Sequence, residues 1–114
     1  MDSGFDIIAT RIIDVIDDTG EAVRQVHVHI GRPWEEPTGE WSLRYQIVGI
    51  GKTKTRCVLG LDAVQVLPLV HVIIGSVLAS SEEGKQGRLR WTGDSGLGYL
   101  GFPLSPEPPP EGQI

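Results

Sequence analysis

His27 and His29 stand two residues apart in a run where Val26, Val28 and Ile30 alternate with them. On a β-strand that spacing sends both imidazoles off one face. Two neutral imidazoles can hold a divalent metal if a third donor comes from elsewhere. His71 falls in an apolar stretch and is expected to face away from the pair. A small metal-dependent hydrolase using His27 and His29 is one reading; two polar residues on a wet sheet face is the plainer one. Asp14, Asp17 and Asp18 crowd one turn. They lack the alternating Asp/Asn pattern and closing bidentate Glu of a calcium loop, so a solvated turn is expected. Gly93-Asp94-Ser95-Gly96-Leu97-Gly98 has the glycines of a phosphate loop but not its Gly-Lys-Ser/Thr end. No Gly-x-Ser-x-Gly elbow occurs, and no Ser/His/Asp spacing suggests a triad. Cys57 falls on the expected apolar face of its strand, where a thiol is an inert small hydrophobe. No catalytic residue, cofactor or metal site is assigned, and an enzyme is disfavoured.

Binding chemistry is better represented. Trp34 lies in an acidic, proline-bearing loop with Glu35, Glu36 and Glu40. A large ring in such a loop suits a partner-binding anchor, and equally a lid on the core edge. Trp41 opens an apolar strand face and is expected in the core. If the strands pair in sequence order, His27, His29, Arg44, Gln46, Lys54 and Arg56 share the face opposite the helix. That would be a polar, partly basic surface able to meet RNA or a nucleotide. It lacks the interleaved aromatics of a single-strand platform.

The elements that must carry these residues follow from periodicity. Ile7–Ile16 and Glu21–Ile30 read as a β-hairpin around Asp17-Asp18-Thr19-Gly20. Residues 31–40, with two prolines and two glycines, read as a loop. Trp41, Leu43, Tyr45 and Ile47 alternate with Ser42, Arg44 and Gln46 as a third strand. Gly49-Ile50-Gly51 turns the chain, and Lys52–Leu59 returns as a fourth, with Thr53, Thr55, Cys57 and Leu59 inward. Asp62 is a good N-cap for a helix over Ala63–Ser80. Its many β-branched residues oppose that assignment, and Pro68 should kink the helix or mark its start. Length and a stripe of Val66, Val70, Ile73 and Val77 favour it. Gly84 can cap its end. Arg88–Trp91 is a short extended piece, and five of the eight prolines crowd 103–114. The expectation is one α+β domain over 1–104 and a Pro-rich disordered tail over 105–114. Its architecture is an antiparallel meander of about four strands, one long helix on one face, and a short C-terminal strand.

Gly60-Leu61-Asp62-Ala63-Val64-Gln65, Arg88-Leu89-Arg90-Trp91, Gly98-Tyr99-Leu100-Gly101-Phe102-Pro103 and the upstream Ile30-Gly31-Arg32-Pro33 stand in a familiar order. With them the chain resembles a family of small bacterial proteins catalogued as a domain of unknown function. The likeness spans roughly 7–104. Val66-Leu67-Pro68 departs from the Gln-Ala-Leu type continuation usual in that family's helix. The resemblance implies a bacterial or phage origin and a strand-rich half followed by a helix. It implies no activity.

Composition bounds what remains. The chain has 114 residues and a net charge of −5, from 10 Lys+Arg against 15 Asp+Glu. One domain with a modest core fits that length and 39% hydrophobic content. The charge disfavours a general nucleic-acid coat. It is unevenly spread, however: residues 41–60 hold four basic groups and no acid. Residues 1–4 lack a basic start to an apolar leader, so no signal peptide is expected. The apolar run over 63–79 is interrupted by polar residues and Pro68, so a buried helix rather than a span is expected. A single cysteine suits a reducing cytosol. The function expected is a non-enzymatic binding protein, immunity-like or inhibitory, acting on a protein partner in the bacterial cytoplasm.

Overall fold

Alternation of buried and exposed residues dominates the first half of the chain. The computed structural model describes residues 5–92 and 99–103. β1 (Ile7–Ile16) and β2 (Ala22–Gly31) form a long antiparallel hairpin. Its turn is fixed by Asp17, whose Oδ1 accepts from the Thr19 N–H, the Thr19 hydroxyl and the Glu21 N–H. These bonds favour the carboxylate and lower its pKa, the Thr19 hydroxyl contributing most. Of the three aspartates, Asp17 holds the turn, while Asp14 lies within β1 opposite Gln25.

β4 (Trp41–Val48) pairs with β2 on one side and with β5 (Thr55–Gly60) on the other. β3 (Trp34–Glu35) pairs with Trp41 and Ser42. Those two residues also pair with β5, so β3 must lie on the β2 side of β4. β3 therefore continues β2 after Arg32-Pro33, where proline removes a ladder donor. β6 (Leu89–Arg90) closes the far edge against β1. Six strands are present among the described residues, rather than about four. The extra short strand lies in the segment expected as loop, because a two-residue ladder survives between Pro33 and Pro37.

α1 (Ala63–Ser80) crosses one face of this sheet. Its start explains the Gly60-x-Asp62-x-x-Gln65 spacing. Asp62 Oδ1 accepts the Gln65 N–H at 2.9 Å, and Gln65 Oε1 accepts the Leu61 N–H at 2.7 Å. This is a reciprocal cap of the first turn. A Cβ at Gly60 would come within 2.6 Å of Val66 Cγ1 and 2.8 Å of Gln65 Oε1, so glycine is required there by space. The helix runs through Pro68 rather than starting at it. Pro68 deprives the Val64 carbonyl of its i+4 donor, but Val64 is 79% exposed and Pro68 is exposed, so water can substitute.

The buried row is Val66, Val70, Ile74 and Leu78, spaced four apart, with Gly75 beside it. Ile73 and Val77, expected in the buried stripe, are half-buried on its flank. That row meets Ile13, Val15, Val26, Val28, Leu43, Tyr45 and Ile47 from the sheet. Packing in this context overrides the strand preference of the β-branched residues. By length and composition α1 could cross a membrane, with mean hydropathy 1.9; here its row of valine, isoleucine and leucine is spent on the sheet. α2 (Glu82–Lys85) follows. Glu83 there binds Arg24 of β2 at 2.6 Å. Its own backbone N–H and Arg24 hold its carboxyl below the ordinary glutamate range, against the opposing effect of burial.

Residues 99–103 complete the helix face. Tyr99 and Phe102 exchange two backbone hydrogen bonds of 2.8 Å around Leu100 and Gly101, both at positive φ. Phe102 is 1% exposed and approaches α1 at Gly75, where a Cβ would lie 3.1 Å from Phe102 Cβ. Arg11 of β1 holds this turn. Its guanidinium lies 3.8 Å from the Trp91 ring centroid and 4.9 Å from that of Phe102, and its Nη1 donates to the Leu100 carbonyl at 3.2 Å. The Arg88–Trp91 motif and the turn over 99–103 therefore meet on one arginine. The Gly93–Gly98 loop and the tail over 105–114 lie outside the described residues.

Leu78→Ala should lower unfolding free energy by about 2–5 kcal/mol, as for other fully buried leucines. Val64→Ala should change it by less than about 0.5 kcal/mol. Urea denaturation followed by circular dichroism separates the two. Arg11→Ala should cost on the order of 1–2 kcal/mol and shift Trp91 emission, with Arg11→Lys recovering only part because a lysine cannot lie flat on the ring. An Arg11→Ala protein with unchanged stability and emission would show that the clasp is idle.

Candidate interaction surfaces

One sheet face is covered by α1 and the 99–103 turn, and the register assigns each residue to a face. Ile13, Val15, Val26, Val28, Leu43, Tyr45 and Val58 point to the helix. Their neighbours along each strand point the other way. On that open face Thr10, His29, Gln46 and Thr55 form one row across four strands. Thr10 Oγ1 lies 3.1 Å from His29 Nδ1, and Gln46 Nε2 donates to Thr55 Oγ1 at 2.8 Å. The adjacent row is Ile12, His27 and Val48. Ile12 is 46% and Val48 36% exposed.

His27 and His29 do share a face, with ring centroids 6.1 Å apart. His71 is in the helix layer on the other side of the sheet. Its Nδ1 lies 2.6 Å from the Leu67 carbonyl and its ring 6.2 Å from that of Phe102. Among the described residues no group of three or more His, Cys, Asp or Glu side chains comes together. The histidine pair therefore has no third protein donor beside it among the described residues.

The expected basic surface is divided. Arg44 and Gln46 join His27 and His29 on the open face. Arg56 pairs with Tyr45, a core residue, and so points to the helix side. Lys54 flanks the same groove as Tyr45 and Val77. Cys57, expected inward, is exposed and stands opposite Arg44 on the open face. The inward residues of β5 are thus Arg56 and Val58, not Cys57 and Leu59. The misreading has a physical cause. β5 is an edge strand whose inner face overhangs the core, so long basic side chains can lie along the rim with their charged ends in water. Leu59, 52% exposed, carries the apolar signal on the wrong side.

The acidic tryptophan loop is a tight hairpin. Glu36 N–H donates to the Glu40 carbonyl, and the Gly39 N–H to the Glu36 carbonyl, with Gly39 at φ 95°. Glu36 Oε2 accepts from Ser42 Oγ at 2.6 Å, which satisfies the one fully buried polar side chain among the described residues. Glu35 and Glu40 are exposed. Trp34 pairs with Ser42, and Ser42 with Leu59. Trp34, 43% exposed, and Leu59 therefore flank the buried serine on the open face. Glu35 is offset to the opposite face by strand alternation. Of the four expected partner-binding residues, Trp34 faces this patch, Glu40 is exposed at the end of its hairpin, Glu35 points to the other face, and Glu36 is a structural acceptor. Trp41 is half-buried against the core.

A second concavity lies along β5. An open groove of about 630 Å³ runs between that strand and α1, lined by Tyr45, Lys54, Arg56, Val58, Leu69 and Ile73 among others. Burial raises the Tyr45 phenol pKa, and the nearby Arg56 charge opposes that rise. Sequence reasoning missed this groove, because it depends on which strand is left at the edge. The exposure of Leu59 was missed for the same reason.

No curated protein and no solved structure matches the chain. A family model described as "Domain of unknown function (DUF6968)" matches residues 9–104. The chain, with its α+β sheet-and-helix architecture, belongs to that family.

Proposed function

We propose that this chain is a non-enzymatic binding domain whose protein partner docks on the open sheet face around Trp34. The observation that carries the reading is the row Trp34–Ser42–Leu59. Two large apolar side chains, 43% and 52% exposed, flank a serine with no exposure at all. A rigid aromatic on paired strands is a favourable anchor, since little entropy is lost when it is buried. Val48 and Ile12 form a second exposed apolar pair on the same face, separated from the first by the polar row of Thr10, His29, Gln46 and Thr55. In its finer form the reading is an immunity-like or inhibitory protein acting in the bacterial cytosol. Support for that form is the net charge of −5 and the exposed Glu35 and Glu40 of the same hairpin, whose long-range field suits steering toward a basic partner.

Two other activities draw less support. An RNA or nucleotide surface needs its cations on one plane, and here Arg44 and Arg56 point to opposite faces. A metal hydrolase needs a third ligand near His27 and His29.

A photo-crosslinking amino acid placed at position 34 should capture one discrete protein from a bacterial host, and the same group at Ser76, on exposed α1, should not. With that partner in hand, Trp34→Ala should weaken binding by roughly 30-fold, the loss of an aromatic hot spot of about 2 kcal/mol. Added salt should slow association. Wild-type affinity in Trp34→Ala would contradict the proposal.

A further inference from the structure

β5 pairs with β4 on one side, and among the described residues nothing pairs with its other side. An unpaired edge is a template for another strand, and proteins commonly blunt it with charge. Here the charge is one-signed. Lys52, Lys54 and Arg56 are exposed and make no ion pair among the described residues. Residues 41–60 contain no acid. Two copies pairing β5 against β5 would set these cations against each other, which disfavours self-association. The groove beside the edge is apolar at its α1 wall, where Leu69 and Ile73 face Val58. Basic rim, apolar wall and free ladder together fit one class of occupant.

We propose that the free edge of β5 accepts an extended acidic segment of a partner protein as an added strand. Helix-facing side chains of an added strand fall at every second residue. Those beside Lys54 and Arg56 would be carboxylates, and the next, beside Val58, would be apolar and enter the groove at Leu69 and Ile73. The pattern is therefore acid-x-acid-x-apolar for a strand parallel to β5, and the reverse order for an antiparallel one. This site lies on the opposite edge of β4 from β3 and stands independently of the Trp34 surface.

The test uses two fluorescently labelled seven-residue peptides, Thr-Glu-Thr-Glu-Thr-Leu-Thr and its reverse, read by anisotropy against the full chain. One of them should bind more tightly than about 1 mM and weaken with salt. Bound peptide should slow amide hydrogen exchange within 55–60. Lys54→Glu with Arg56→Glu should lose on the order of tenfold or more in affinity, and Trp34→Ala should lose nothing. Replacing both peptide glutamates with lysine, or the threonine between them with proline, should abolish binding. The proposal is overturned if neither peptide binds, if the proline peptide binds equally well, or if sedimentation shows β5 occupied by a second copy.

Discussion

Burial on one face only is the constraint on which the rest of this molecule depends. A six-stranded sheet offers two faces, and a single long helix can cover one. Beneath the row Val66, Val70, Ile74 and Leu78, the side chains of Ile13, Val15, Val26, Val28, Leu43 and Tyr45 are almost completely removed from water. At about 25 cal/mol per Å² of apolar surface removed from water, that contact is the main favourable term available to a chain this size. It also explains why a helix rich in β-branched residues forms at all. The cap at Asp62 and the sheet beneath it outweigh a propensity deficit of tenths of a kcal/mol per residue.

The same constraint assigns the remaining surfaces. Width beyond the reach of α1 must be closed by other means on the β1 side, and the Arg11 clasp with Trp91 and Phe102 does that. On the β5 side nothing comparable is present among the described residues, and basic side chains over a groove stand there instead. The far face keeps a polar row of Thr10, His29, Gln46 and Thr55 at its centre, with apolar residues to either side. A face that only had to be wet would not need Trp34 and Leu59 exposed beside each other.

Much of this was legible in the residues. Strict alternation in Val26–Ile30 and Trp41–Ile47 fixed the faces of β2 and β4, because both strands are central and half-buried. The Gly60-x-Asp62-x-x-Gln65 spacing announced a helix start whose bonds are those expected of a cap. What was not legible depended on position in the sheet. In β5 the outward residues are more apolar than the inward ones, so the pattern pointed the wrong way until pairing of Leu43 with Val58 set the register. Pro33 and Pro37 hid a two-residue strand between them. Arg11 looked like any charged strand residue, since its two aromatic partners lie some eighty and ninety positions away in the chain. The candidate site inherited these limits: Trp34 could be singled out by its loop, but its companion Leu59 could not.

Cys57 offers the most direct check on the two-faced sheet. It is the sole thiol, it is exposed, and it sits on the open face opposite Arg44. Its rate of reaction with a bulky thiol reagent can be measured in native and in urea-unfolded protein. If the face is open, Cys57 reacts in the native state within about tenfold of the unfolded rate, and the labelled protein keeps its circular dichroism spectrum. A thiol that reacts only after global unfolding would place Cys57 in the core and contradict the assignment of faces on which both proposed binding surfaces rest.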